Sequence, residues 1–417
     1  MGQTSDTLVP RLSYMSVLEQ TLESPAIKVL AGIRRCGKST LLKMLSRDLL
    51  AKGLPEKNLL FMKMDSYDVP LVVDAQWLDA QLSFYVDEAD PSFPFYVFLD
   101  EIQDVTGWER PVRRLHESGR ARIYLTGSNA SLLSSDLATY LSGRYVEIEV
   151  YPLSFREFNE FSDHYEAGID RTKGELFNLY LRYGGMPGLF AASAFSREAA
   201  TRELGAIHDT VLLNDVAKRF GIRDIDLLEK LLRYAYTTAG NLFSANKVAG
   251  ALTSMGRKTN SETVDNYLNA LKKAFALYEC QQVGLKGKAV LQPQKKYYAP
   301  DSGLRNLESD FRMQDIGFQF ENIVYMELRR RSYDVNVGAL PTGEIDFVAQ
   351  KHSDRMYIQV CESILDETTR QREEAPLNAV GDSYPKLILT RDAAAEGTTD
   401  TGIRIRELSE WLLEGES

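Results

Sequence analysis

Gly32-Ile-Arg-Arg-Cys-Gly-Lys-Ser-Thr40 follows the apolar run Ala26-Ile-Lys-Val-Leu-Ala31 and precedes Leu41, Leu42 and Leu45, which share one face of a helix. The stretch fits G-x-x-x-x-G-K-[ST] in the strand, loop and helix context that a phosphate-binding loop requires. Glycines let backbone N–H groups close around phosphate oxygens, and the helix that follows directs its positive end at them. Lys38 is expected to reach the β- and γ-phosphates, and Ser39 to offer its hydroxyl to Mg2+. The cradle is expected to comprise Gly32, Arg34, Arg35, Cys36, Gly37, Lys38, Ser39 and Thr40.

Around this loop, over residues 15–150, strand-like runs alternate with helical segments, the pattern of a parallel sheet covered on both faces. The further runs are Leu59–Met62, Phe95–Leu99, Ala121–Thr126 and Tyr145–Val150. Phe95–Leu99 runs straight into Asp100-Glu101. Placed one strand-helix-strand unit after the loop, Asp100 is expected to hold Mg2+ through its water shell, and Glu101 to orient or deprotonate the attacking water. The run at Ala121 ends in Thr126, Ser128 and Asn129, at the carboxyl edge where ligands bind in such sheets. One of them, with Asn129 the choice, is expected to sense the γ-phosphate; a helix cap is the alternative use of Ser128 or Asn129. Arg144 suits an arginine finger offered to a neighbouring subunit, which implies a homo-oligomer, or else a plain surface arginine.

The set Gly32–Thr40, Phe-Leu-Asp-Glu-Ile-Gln103, Leu-Thr-Gly-Ser-Asn129, Gly143-Arg144 and Tyr151-Pro-Leu-Ser-Phe-Arg-Glu-Phe158 resembles the prokaryotic AAA-type ATPases that carry a C-terminal domain of unknown function. The resemblance runs from about Leu18 to the end of the chain and implies an AAA+ ATPase core that binds ATP.

Composition narrows the remainder. With 417 residues, 44% apolar and 26% charged, the chain has room for two to four globular domains. A net charge of −10 means that any nucleic-acid contact must come from a local basic surface. Cys36, Cys280 and Cys361 are odd in number and far apart, which points to a reducing cytoplasm rather than a disulfide framework, and four scattered histidines offer no zinc cluster. No apolar run approaches a membrane span, and Met1–Asp6 carries no signal-peptide core.

Residues 151–222 read as a helical lid, in which the Gly185-Met-Pro187 turn is similar to one that packs on adenine in related ATPases, or else is a plain helix stop. Residues 223–310 read as helix, helix, helix and hairpin, a winged helix whose third helix would enter a major groove. Between Lys247 and Lys296 there are nine Lys/Arg against three Asp/Glu. Arg257, Lys258, Lys272, Lys273, Lys286 and Lys288 are therefore the expected DNA contacts, with a protein-binding module as the alternative.

Residues 315–417 read as α-β-β-β-α-β, which resembles the restriction-endonuclease-like fold. Glu321 and Asp346 take its first two acidic places, but the third reads Gln359-Val-Cys361, with Glu362 on the opposite sheet face. An amide is a poor Mg2+ ligand and a thiol cannot support hydroxide as lysine does, so a nuclease-like fold without nuclease activity is expected. Arg329–Arg331 is read as a phosphate contact or a polar helix end.

Overall fold

The computed structural model describes residues 8–130, 144–166, 169–190, 195–285, 294–309, 316–341 and 343–414. The chain divides into two units, one of Met1–Tyr151 with Lys273–Phe275, the other of Pro152–Lys272 with Ala276–Ser417.

In the first unit α1 (Leu12–Gln20) leads to β1 (Ile27–Ala31), α2 (Lys38–Ala51), β2 (Leu59–Lys63) and α3 (Ala75–Glu88). β3 (Phe95–Asp100), α4 (Glu109–Glu117), β4 (Ala121–Gly127) and β5 (Tyr145–Glu149) follow. The five strands pair in parallel in the order β2-β3-β4-β1-β5. Ile27, Val29, Val97, Leu99, Ile123 and Leu125 alternate onto one sheet face and meet Leu78, Leu82 and Val112 of α3 and α4. Burial of that face is what holds the helices down, since each buried aliphatic side chain is worth about 2 kcal/mol. The register sets Leu30 beside Thr126 and Leu99 beside Leu125, so the ends of β1, β3 and β4 open onto one edge.

The second unit begins with α5 (Phe155–Tyr165) and α6 (Lys173–Tyr183), each opened by a capping box, Ser154/Glu157 and Thr172/Glu175. Next come α7 (Arg197–Thr210), which runs on into a wider turn at Val211–Lys218, then α8 (Ile225–Thr237), α9 (Ala245–Ser254) and α10 (Ser261–Lys273). β6 (Tyr278–Gly284), β7 (Lys295–Tyr298), α11 (Ser302–Ser309) and α12 (Ile316–Arg330) lead to β8 (Asp334–Leu340), β9 (Gly343–Lys351) and β10 (Asp354–Val360). α13 (Glu367–Ala379), β11 (Lys386–Thr390), β12 (Gly397–Thr398), β13 (Arg404–Glu407) and α14 (Leu408–Leu413) close the chain.

Eight strands form one sheet in the order β12-β13-β11-β10-β9-β8-β6-β7. The β6–β7 hairpin is therefore the rim of the C-terminal sheet rather than a free wing: β6 runs parallel to β8, pairing Gln282 with Val337. Apart from Tyr151 and Lys273–Phe275, the segments expected as lid, three-helix domain and C-terminal domain fall within this second unit.

Candidate functional site

The loop between β1 and α2 is fastened to the end of β5. A Cβ on Gly32, at φ +155°, would lie 2.1 Å from the Val150 carbonyl oxygen, so only glycine fits there. Cys36 Sγ donates to the same oxygen at 3.1 Å, and burial pushes this thiol's pKa up. Arg11, buried over the Tyr14 ring, donates from Nη1 to the Cys36 carbonyl at 3.0 Å and to the Tyr151 carbonyl at 2.8 Å. Arg11 lies before the 15–150 boundary and belongs to no motif; its partners are backbone oxygens, which no residue pattern reveals.

Gly37 is the N-cap of α2 and offers no side-chain acceptor, which leaves the helix start open to an anion. Lys38 is buried, and its Nζ donates to the carbonyls of Gly32 at 2.9 Å and Ile33 at 3.0 Å. Its charge is thus held inside the loop, beside Arg34 and the exposed Arg35.

Asp100 ends β3 fully buried. Its Oδ1 accepts from Ser39 Oγ at 2.8 Å and from Thr126 Oγ1 at 2.5 Å, while Thr126 Oγ1 accepts from the Glu101 N–H at 2.9 Å. Burial raises the Asp100 pKa against those two hydroxyl bonds. Asp100 Oδ2 is buried with no hydrogen-bond partner among the described residues. A lone buried carboxylate oxygen is costly, and beside the Ser39 hydroxyl it fits the water shell of a divalent cation. Glu101 is in the left-handed region at φ 55° and accepts from Gln103 Nε2. Ser128 and Asn129 are buried at the end of β4. A strand-end line of Ser39, Asp100, Thr126 and Glu101 therefore joins three elements at one sheet edge.

Residues 24–159 match the family model of an AAA domain, and residues 174–315 match that of a domain of unknown function. An uncharacterized protein of Haemophilus influenzae is 36% identical over 412 residues, covering 98% of this chain and 100% of its own. One of Methanocaldococcus jannaschii is 29% identical, covering 83% of this chain and 77% of its own. The chain belongs to one family with the Haemophilus influenzae protein, and its residues 24–159 carry an AAA domain. A Walker-type ATPase of Pyrococcus abyssi shares the fold with a TM-score of 0.52 at 18% identity, over 72% of this chain and 96% of that one.

Arg144 and Pro187 belong to other elements of the chain. Arg144 lies at the amino end of β5, its carbonyl accepting from the Ile27 N–H and its Nη1 3.4 Å from Glu117 Oε1. That is the sheet edge opposite the loop, so Arg144 does not join its own chain's site. Pro187 opens a short turn, Pro187–Phe190, in the second unit. The glycines before it serve packing: Gly185 N–H donates to Asp301 Oδ2 at 2.6 Å, and the Gly185 carbonyl accepts from Leu153 N–H at 2.7 Å.

Among the described residues, part of the local basic surface is engaged in internal ion pairs. Arg257 pairs with Asp224 and Asp226, and Lys272 and Lys295 with Glu279. Lys286 and Lys288 lie outside the described residues, as does Gly143. The exposed positions of α10 are Glu262, Asp265, Asn266, Asn269 and Lys273. Arg330 and Arg331 are bound to Glu327, and Arg331 also stacks over Trp411 at 4.2 Å, so both guanidinium groups are committed internally.

The C-terminal acidic pair corrects one premise. Lys296 of β7 is buried, with Nζ 3.1 Å from Glu321 Oε1 and 2.9 Å from Glu344 Oε1. An ammonium therefore does stand at the acidic pair, supplied from the hairpin and not from position 361. Asp346 Oδ2 accepts from the Val360 N–H at 2.9 Å. Gln359 bridges, its Oε1 accepting from the Asp346 N–H and its Nε2 donating to Glu373 Oε2 at 2.9 Å. A cavity of about 420 Å³ opens on Glu321, Asp346 and Glu373. Among the described residues no three His, Cys, Asp or Glu converge as metal ligands, and no helix is long and apolar enough to cross a membrane.

Proposed function

We propose that this chain binds ATP with Mg2+ and hydrolyses it, and that the second unit turns the nucleotide state into assembly or signalling. The line Ser39–Asp100–Thr126–Glu101 carries the reading, because it brings to one sheet edge the residues we propose to hold the metal and to take the proton. Lys38 exchanges the Gly32 and Ile33 carbonyls for β- and γ-phosphate oxygens. Ser39 and Asp100 are the residues that would hold Mg2+, whose chemistry there is to offset the charge that builds up on the phosphates. Glu101 takes a proton from the attacking water, and Asn129 senses the γ-phosphate. Arg144 acts only in trans, on a neighbouring copy. Three free, buried cysteines agree with a reducing cytoplasm. Phosphate release by wild type, Lys38→Ala and Glu101→Gln decides it; unchanged turnover in either variant would sink the mechanism.

DNA coupling is the second reading of the same engine, with residues 223–310 as a winged helix. The antiparallel bridge from Phe243 to Lys295 favours it, since a short strand joining the hairpin suits that module. Lys258 is exposed, and the exposed carboxylates Glu262 and Asp265 on α10 weigh toward a protein partner. Turnover measured with single-stranded, duplex and branched DNA separates the two.

For residues 315–417 we retain a nuclease-like fold without cutting activity, since Gln359 is consumed as a bridge. Lys296 supports the opposite reading, metal-dependent cleavage. Linearised plasmid with Mg2+ or Mn2+, cut by wild type and spared by Asp346→Ala, would reverse our reading.

A further inference from the structure

Gln103, in the short turn Ile102–Asp104 just beyond the strand-end carboxylates, has an amide divided between two uses. A carboxylate only accepts, so the nitrogen must be the atom that meets Glu101 Oε2, as found. The oxygen is then left for a second use. Gln103 Oε1 is buried and has no hydrogen-bond partner among the described residues. Amide bond lengths place Oε1 roughly 2.2 Å from Nε2, so an unused acceptor lies within one water's reach of the Glu101 carboxylate. A buried acceptor without a donor costs about 1–3 kcal/mol unless something fills it. A water molecule between Oε1 and the Glu101 carboxylate would donate one O–H to each.

We propose that Gln103 is the positioning residue for hydrolysis, holding Glu101 by its N–H and the attacking water by its carbonyl. This rests on the ATPase reading above. The water oxygen bonds to the γ-phosphorus as the bond from that phosphorus to the β–γ bridging oxygen breaks. The water's proton passes to Glu101, and ADP leaves with the electron pair on its terminal phosphate oxygen. With both O–H bonds engaged, a lone pair of the water is left for the phosphorus, and the rotational freedom of base and nucleophile is removed in advance. Thr126 orients the same pair from the backbone side, through the Glu101 N–H.

The test is a double-mutant cycle on the full chain, with fluorescent-ATP binding and melting temperature read alongside steady-state turnover. Gln103→Leu keeps the size and removes both polar atoms; kcat should fall on the order of 10- to 100-fold with the ATP dissociation constant unchanged. In a Glu101→Gln background, Gln103→Leu should cost little more, because both act on one water. A purely structural role predicts weaker ATP binding, a lower melting temperature and additive losses, and that pattern overturns the proposal. Unchanged kcat in Gln103→Leu overturns it equally. Absence of turnover in the wild type itself instead overturns the ATPase reading, and this inference falls with it.

Discussion

Ser39 Oγ lies 2.8 Å from Asp100 Oδ1, so the first turn of α2 and the end of β3 are already joined by a hydrogen bond at the place where both would face a metal. Because Oδ1 also accepts from Thr126, the unshared Oδ2 is the oxygen left for a cation's water shell. Asp100→Asn retains an acceptor for the hydroxyls and removes the charge. Mg2+-dependent phosphate release should drop at least a hundredfold, while the melting temperature moves little or rises, since burial disfavours the carboxylate. Calorimetric titration of Mg2+–nucleotide against the variant should show the metal dependence gone.

Lys38→Ala should do more than block nucleotide binding. Its buried ammonium satisfies the carbonyls of Gly32 and Ile33, and charged hydrogen bonds of this kind are worth about 2 kcal/mol. Urea unfolding without nucleotide should show that loss for Lys38→Ala and a smaller one for Lys38→Arg. Equal stability of the alanine variant would mean that the loop closes without its lysine.

How far residues alone led depends on the reach of the interaction. The five strands, the loop and Asp100-Glu101 were legible because strand patterning, glycine loops and strand-end carboxylates are local signals. In sequence Lys296 is one of nine basic residues between positions 247 and 296, yet its position at the sheet rim turns it inward between Glu321 and Glu344. Nothing within ten residues of it in sequence announces that. Gly185-Met-Pro187 reads in sequence as an adenine turn or a helix stop, and neither reading displays the approach of Gly184 and Gly185 to Asp301, more than a hundred residues away. Arg11 is invisible in sequence for the same reason, and the motif that contains Gln103 does not display the two sides of its amide.

Lys296→Met should be costly in a pH-dependent way. Burial raises the pKa of Glu321, and burial together with Glu321 raises that of Asp346, with Lys296 opposing both. Removing the ammonium leaves buried carboxylates unpaired, a loss of about 3 kcal/mol near pH 7.5. A carboxylate whose folded pKa is raised stabilises the fold below its unfolded value and loses that contribution as pH rises through the folded one. The variant should therefore recover as pH falls toward 5, and Glu321→Gln added to it should recover stability at pH 7.5. Chemical denaturation across that range measures both effects; a pH-independent loss would mean that the acids are not coupled to Lys296.

Asp301 gives the second unit a titration of its own. Its carboxylate accepts from Gly185 N–H at 2.6 Å, Gly303 N–H at 2.9 Å and Leu304 N–H at 3.2 Å, and so caps α11 while bracing the Gly184–Gly185 bend. Complete burial outweighs these bonds and pushes its pKa up to about 6 from 3.8. The folded state thus holds a proton that the unfolded state has already lost between those values. This contribution is full below about pH 4 and disappears as pH passes 6, a swing on the order of 3 kcal/mol. Asp301→Asn stays neutral and should flatten that part of the profile, while Gly184→Ala, whose Cβ would fall 1.9 Å from Asp301 Oδ1 at φ +74°, should destabilise at every pH. Unfolding midpoints from pH 4 to 7 for the three proteins distinguish the cases: an unchanged slope in Asp301→Asn would assign the titration to another group, and an undisturbed Gly184→Ala would mean that the bend and α11 can part without cost.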